Sequence, residues 1–168
     1  KYLGEKNNQR ANSTFSMIVY VAIFVGILIA ALGILFLRPI SQLLGASGTL
    51  LDDSVRYGTV ILIALPAFML QIMFQTLFIT AEKPKLGLAI TLISGFTNMI
   101  LDALLVAVFP LGLEGAAWAT AISQMVGGVI PLVYFLLPNK SLLSLGRASF
   151  NAKDLIKPCT NGSSELMS

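Results

Sequence analysis

The sequence predicts an all-α fold, a polytopic membrane helix bundle, on three observations. Of 168 residues, 56% are hydrophobic and only 11% charged, too few charges to cover a soluble domain of this length. Four apolar runs reach the roughly 20 residues that a helix needs to cross a bilayer. None of them alternates polar and apolar residues as a membrane β-barrel strand does, and lipid cannot satisfy an open backbone.

The spans follow in order: Thr14–Leu37, Tyr57–Thr80, Leu86–Val108 and Gly115–Leu137. Gly, Ala, Ser and Thr are scattered through all four, which suits helices that approach closely in lipid. Residues 1–13 read as a cytoplasmic loop, 14–137 as the membrane unit, and 138–168 as a cytoplasmic linker entering another helix, with Asn151 or Asp154 as its cap. PISQLLGASGTLLDDSVR, between the first two spans, is too short and polar to cross and reads as a short interfacial helix followed by a Gly-Ser turn. The opening KYLGEKNNQRANST lacks an initiator Met and an apolar core, and the closing NGSSELMS has no polar tail. Both ends read as cuts in a longer chain.

Direction comes from the basic residues. With the N-terminal end cytoplasmic, that side holds Lys1, Lys6, Arg10, Lys83, Lys85, Lys140, Arg147, Lys153 and Lys157, leaving only Arg38 and Arg56 of the 11 Lys and Arg outside. This matches the positive-inside bias. Arg38, beside Pro39, sits where a long side chain can snorkel into headgroups. Trp118, Tyr57 and Phe109 near the outer boundary and Tyr134 near the inner one form an aromatic belt. The expected location is the plasma or inner membrane.

Several chemistries are excluded. One cysteine, Cys159, cannot form an internal disulfide, and the absence of histidine removes a conventional zinc site. Asp52-Asp53 is followed by SVR, which does not complete an aspartate-rich prenyl-transfer motif. The chain has no Walker loop, histidine dyad or nucleotide fingerprint. Asn12, Asn139 and Asn161 begin glycosylation patterns, but all lie on the expected cytoplasmic side. Glu114 reads as a helix-dipole partner at the start of the fourth span. No enzyme activity, cofactor or nucleic-acid partner is expected.

Asp102 is the only carboxylate well inside an apolar run. A charge at that depth costs at least ~2.5 kcal/mol on insertion scales, so it should face protein or a watery cavity and carry function. Asn98 is four residues back on the same helical face, and Ser94 and Thr91 extend a polar stripe. Asn98 can donate to the carboxylate or offer a carbonyl oxygen to a cation. Counting inward at 1.5 Å per residue, Asp102 lies about 9 Å and Thr120 about 7.5 Å from the outer boundary. The short link FPLGLE makes their helices antiparallel neighbours. Gln71 and Gln75, one turn apart, line a polar cavity or tie helices together. Pro66 and Pro131 are either simple kinks or hinges.

The run FITAEKPKLGLAITLISGFTNMILDALLVAVFPLGLEGAAWATAISQMVGGVIPLVYF resembles the multidrug and toxin extrusion (MATE) transporters. The resemblance lies in the order and spacing of a short basic loop with a Pro, N-x-x-L-D, a loop with a Gly, and G-A-A-x-A-T-x-x-S-Q. It extends over nearly the whole chain, from YLGEKNNQRAN to NGSSELMS, and is nearest the MepA-like and DinF-like bacterial branch. It implies helices three to six of a twelve-helix antiporter that exports cationic or amphipathic small molecules while H⁺ or Na⁺ enters. It also implies a cation site in which Asn98, Asp102 and Thr120 take the helix-five and helix-six positions, with Na⁺ at Asp102 as the one metal. A helix-four amide position corresponds to Gln75, whose counted depth lies nearer the cytoplasmic face. The helix-one Asp of that site is not in this sequence, so the missing helices become necessary partners beside the lipid bilayer. Competing readings are a lipid-linked oligosaccharide flippase, an integral membrane enzyme and a purely structural segment. None of the spans carries the internal Lys or Arg that the flippase would need.

Overall fold

The computed structural model describes residues 8–137. The expected linker at 138–168, its caps, Cys159 and the sequons at Asn139 and Asn161 lie outside the described residues. Four helices run in sequence: α1 (Asn8–Leu43), α2 (Gly48–Thr80), α3 (Pro84–Asp102) and α4 (Gly112–Leu136). A six-residue π-helix, Ala103–Val108, continues α3. Each helix is long and apolar enough to span a membrane, α3 together with its π-helical extension. The chain is a multi-pass membrane protein.

Two boundaries differ from the sequence reading. First, α1 begins at Asn8, inside the stretch expected as loop. Second, no separate interfacial helix forms between the first two spans. The helix α1 runs through Pro39 to Leu43, and α2 already starts at Gly48. Proline removes one backbone donor, and here the helix continues past it. The reversal is confined to the short turn around Gly45 and Gly48, whose φ values of 95° and 59° are left-handed. Glycine enters that region without steric cost.

At the other side, α2 closes in a Schellman arrangement. The Lys83 N–H donates to the Phe78 carbonyl (2.8 Å) and the Glu82 N–H to that of Ile79 (3.1 Å). Pro84 then opens α3 at a first-turn position that needs no N–H.

Helix α2 packs on all three others. Its contact with α4 is made backbone to backbone. A methyl group on Gly128 would lie 2.4 Å from the Ala67 carbonyl oxygen, and one on Gly127 would lie 2.5 Å from Gln71 Cδ. Against α1 the same device recurs: a Cβ on Gly26 would stand 2.9 Å from Pro66 Cα. In lipid, where apolar surface gains little by association, such close van der Waals packing is what holds helices together.

The core lies toward the expected cytoplasmic end. Phe15 of α1, Phe74 and Phe78 of α2 and Phe135 of α4 are buried. Phe135 is the hub, with ring centroids 5.0 Å from Phe15, 5.6 Å from Phe74 and 5.2 Å from both Phe78 and Tyr134. Tilted and stacked aromatic pairs of this kind add to what area burial supplies. At the opposite end the ties are ionic and exposed. Arg38 meets Asp52 at 3.5 Å, and Arg56 meets Glu114 at 2.9 Å. Glu114, expected to serve the α4 dipole, thus also bridges to α2.

The Gly128–Ala67 approach gives a direct prediction. Gly128→Ala should prise α2 from α4 and strongly reduce folded protein in detergent, by several kcal/mol as overpacking against a backbone atom does. Gly95→Ala, at a position with open space around its Cβ, should leave the melting temperature unchanged or higher. Thermal unfolding of the two variants checks both expectations.

Candidate functional site

Helix α3 places Thr91, Ser94, Asn98 and Asp102 along one stripe, as their spacing requires. The structure shows what the lower part of that stripe touches. Gln75 Nε2 donates to Thr91 Oγ1 at 3.3 Å, and Gln71 Nε2 donates to Ser94 Oγ at 3.4 Å. The two glutamines therefore tie α2 to α3. Gln75 meets Thr91, two turns of α3 away from Asn98.

Ser94 then reaches the fourth helix. Its hydroxyl donates to the Ser123 carbonyl at 2.6 Å, and Ser123 Oγ donates back to the Thr120 carbonyl at 2.8 Å. A chain of polar contacts thus runs Gln71, Ser94, Ser123, Thr120 across three helices. Because the one Ser94 proton goes to Ser123, its oxygen presents lone pairs to Gln71, so the amide NH₂ must face it. Gln71 Oε1 is then left buried without a donor among the described residues, as is Gln124 Oε1. A buried acceptor without a partner costs about 1–3 kcal/mol.

Higher on the stripe, Asn98, Asp102 and Thr120 are each half-buried. Two fixed points give the register of α3 against α4. One is the Ser94–Ser123 bond. The other is the close approach of Gly115, where a Cβ would stand 2.7 Å from the Leu105 carbonyl oxygen. Counting from both, Thr120 falls level with residues 97–100, beside Asn98 and just inward of Asp102. Among the described residues, no side-chain hydrogen bond joins these three. The arrangement presents a carboxylate, an amide and a hydroxyl at neighbouring heights on two packed helices, which is an oxygen-rich set suited to a proton or a hard monovalent cation.

Asp102 is also the last residue of regular α-helix. The Ala103 N–H still donates to Met99, four residues back. The Phe109 N–H donates to Leu104, five back, and the Leu111 N–H to Leu105, six back. The turn widens step by step beyond the carboxylate. Such π segments are rare and recur at functional sites. The sequence reading treated Leu86–Val108 as one uniform helix, and ALLVAV carries no Gly or Pro to betray the change.

Pro66 lies inside α2 against Gly26, and Pro131 is fully buried inside α4. Sequence reasoning missed Ser123, Gln124 and the glycines 115, 127 and 128. Ser123 and Gln124 were visible only as part of a family motif, and a glycine in a membrane helix does not announce which neighbour it admits.

The MatE family model matches residues 1–104. The chain belongs to the MatE family. Among curated relatives, the multidrug export protein MepA of Staphylococcus haemolyticus is 29% identical over 153 residues, covering 91% of this chain and 32% of the relative. MepA of Staphylococcus saprophyticus is 29% identical over 136 residues, covering 81% and 30%. MepA of Staphylococcus aureus strain MRSA252 is 27% identical over 157 residues, covering 86% and 35%. The chain therefore spans about a third of the length of the curated relatives it matches. A solved structure, described as the inward-facing conformation of a multidrug resistance MATE family transporter of the MOP superfamily, superposes with a TM-score of 0.85 at 15% identity. It covers 92% of this chain and 36% of that one. The helical fold of the MatE chain is that of a MATE transporter.

The widened turn yields a prediction of its own. In a full-length protein carrying this sequence, Gly115→Ala should push on the Leu105 carbonyl and disturb the π segment. Hydrogen exchange at residues 104–109 should rise several-fold, while exchange around Phe74 and Phe135 stays slow. Unchanged exchange at 104–109 would mean that Gly115 does not hold the turn.

Proposed function

We propose that this MatE chain supplies four helices of a twelve-helix antiporter that exports amphipathic or cationic small molecules against the entry of H⁺ or Na⁺. The observation that carries the reading is the placement of Asp102. It is the only carboxylate deep in a span, shares a helical face with Asn98, and lies about a turn outward of the height of Thr120 on the packed helix α4. The family membership and the MepA relatives, which are named as multidrug export proteins, support the export half of the reading. The oxygen-rich cluster supports the coupling half.

In this mechanism the ion and a cationic substrate compete for one carboxylate. With Asp102 ionised and free, the cavity favours the cation to be exported. Protonation or Na⁺ binding cancels that charge and favours the other conformation, since a ligand shifts an equilibrium only by its differential affinity for the two states. Pro66 and Pro131, where a helical hydrogen bond is already missing, are the positions at which α2 and α4 bend as the cavity alternates. The flippase reading gains nothing from the site, because none of the four spans carries an internal Lys or Arg.

The test is export from vesicles carrying the full-length protein, with pH and Na⁺ gradients imposed separately. Asp102→Asn keeps the shape and removes the charge. It should reduce gradient-driven export to near background while leaving the protein folded. Ion-driven export at the wild-type rate in that variant would overturn the coupling role.

A further inference from the structure

Ser94, Gln71 and Gly127 form a junction one helical turn from the cation cluster. Ser94 is four residues before Asn98 on α3, and Ser123 is three after Thr120 on α4, so each tie lies on the same face as the residue it serves. The Ser94 hydroxyl is buried and bonds the Ser123 carbonyl at 2.6 Å, the shortest of these polar contacts. Gln71 steadies that hydroxyl from α2 at 3.4 Å. Gly127 is what makes the meeting geometrically feasible. In an α-helix the Ser123 carbonyl points toward the residue four further on, which is Gly127. A Cβ there would lie 2.5 Å from Gln71 Cδ and 2.8 Å from its Nε2, so any side chain would expel the amide from the junction.

We propose that Ser94, Gln71 and Gly127 are positioning residues for ion coupling. They fix the rotation of α3 and α4, so that Asn98, Asp102 and Thr120 face a common ion. The inference rests on the coupling role assigned above to Asp102. It differs from simple glue in where the contacts fall. The aromatic core and the Gly128–Ala67 approach are close packing contacts, whereas the serine tie is a single polar contact. What it does restrict is helix rotation, because a hydroxyl-to-carbonyl bond is directional. Rotating α3 about its axis swings Asn98 and Asp102 sideways. Gly87 against Phe78 and Ile90 in the core resist a turn at the inner end of the helix, and the serine tie fixes its angle one turn from Asn98.

The experiment uses the full-length transporter in vesicles and reads two quantities, the maximal export rate and the ion concentration that drives half-maximal export. Ser94→Ala removes the donor to Ser123 and should raise that ion concentration roughly 3- to 10-fold, the scale of one buried hydrogen bond, with a smaller change in maximal rate. Ser94→Thr keeps the hydroxyl and should restore the wild-type value. Gln71→Met keeps the length, loses the donor and should shift the ion dependence in the same direction by less. An unshifted ion dependence in both Ser94→Ala and Gln71→Met, with Asp102→Asn inactive, overturns the positioning role and leaves the coupling role standing. Loss of folded protein in both variants also overturns it, by assigning the junction to structure. If Asp102→Asn exports normally, the coupling role itself fails first.

Discussion

The close approach of α4 to α2 at Gly127 and Gly128 is the constraint on which the rest of this bundle depends. In lipid the helices have no solvent to escape, so what brings two of them together is the number of atoms they can place in contact. Two adjacent glycines let α4 come against the backbone of Ala67 and the side chain of Gln71. Once that distance is set, the residues above and below it on α4 have little freedom. Two turns inward, Phe135 stacks on Phe74 and Phe78. One turn outward, the Ser123 carbonyl comes within reach of Ser94. A larger residue at either glycine would disturb both neighbours together.

The two ends of the bundle are built from different interactions, with different consequences for motion. The inner end is an interlocked set of rings from three helices, in which moving one ring requires repacking several. The outer end is held by Arg38 with Asp52 and Arg56 with Glu114, pairs whose side chains are all largely exposed. Exposed pairs in a polar setting contribute little and exchange readily for water. At the outer ends of α1 and α2, close packing of Gly33 on Leu62 and Gly58 on Leu37 adds to these pairs, while the inner ends share one set of interlocked rings. Helix α3 belongs fully to neither group. Phe96 and Met99 on it are 57% and 58% exposed, and besides Gly87 and Ile90 against the core it is joined to its neighbours by hydroxyls, amides and the turn beyond Asp102.

Much of this architecture was legible in the sequence, and the reasons differ by element. The four spans were legible because hydropathy over some twenty residues has no other explanation. Asn98 and Asp102 stood out because an ionisable group is expensive at that depth and an amide at i−4 shares its face. Thr120 was found at a comparable height by counting from both ends of a short loop. The glutamines were read as either cavity or interhelical ties, and both amides donate to α3. Rotation was not legible. In a soluble helix the apolar stripe marks the inward face, but in these spans nearly every face is apolar. Only small residues distinguish a packed side from a lipid side, and glycines 26, 115, 127 and 128 look no different in sequence from Gly95, which faces open space. The π segment was invisible for a related reason. Nothing in ALLVAV marks it, and the close approach of Gly115 to the Leu105 carbonyl lies on the neighbouring helix.

That last point bears on why the carboxylate stands where it does. Below Asp102, the stripe on α3 is pinned at Thr91 and Ser94 by directional bonds to α2 and α4, and the helix is regular. Above it, the hydrogen bonds lengthen their reach from four residues to five and then six, and the backbone leans on α4 at a single carbonyl. A helix is stiff while each donor meets its i−4 acceptor, because any bend must break several equivalent bonds at once. Where the offsets are changing, the same donors have acceptors on either side at similar distance, and a small shift trades one for another. Asp102 occupies the boundary between these regimes. Its backbone is fixed from the cytoplasmic side, while its position relative to Thr120 follows the turn above. A carboxylate so placed can hold its height in the membrane while its direction adjusts, which is the freedom that the ion exchange proposed for Asp102 would use.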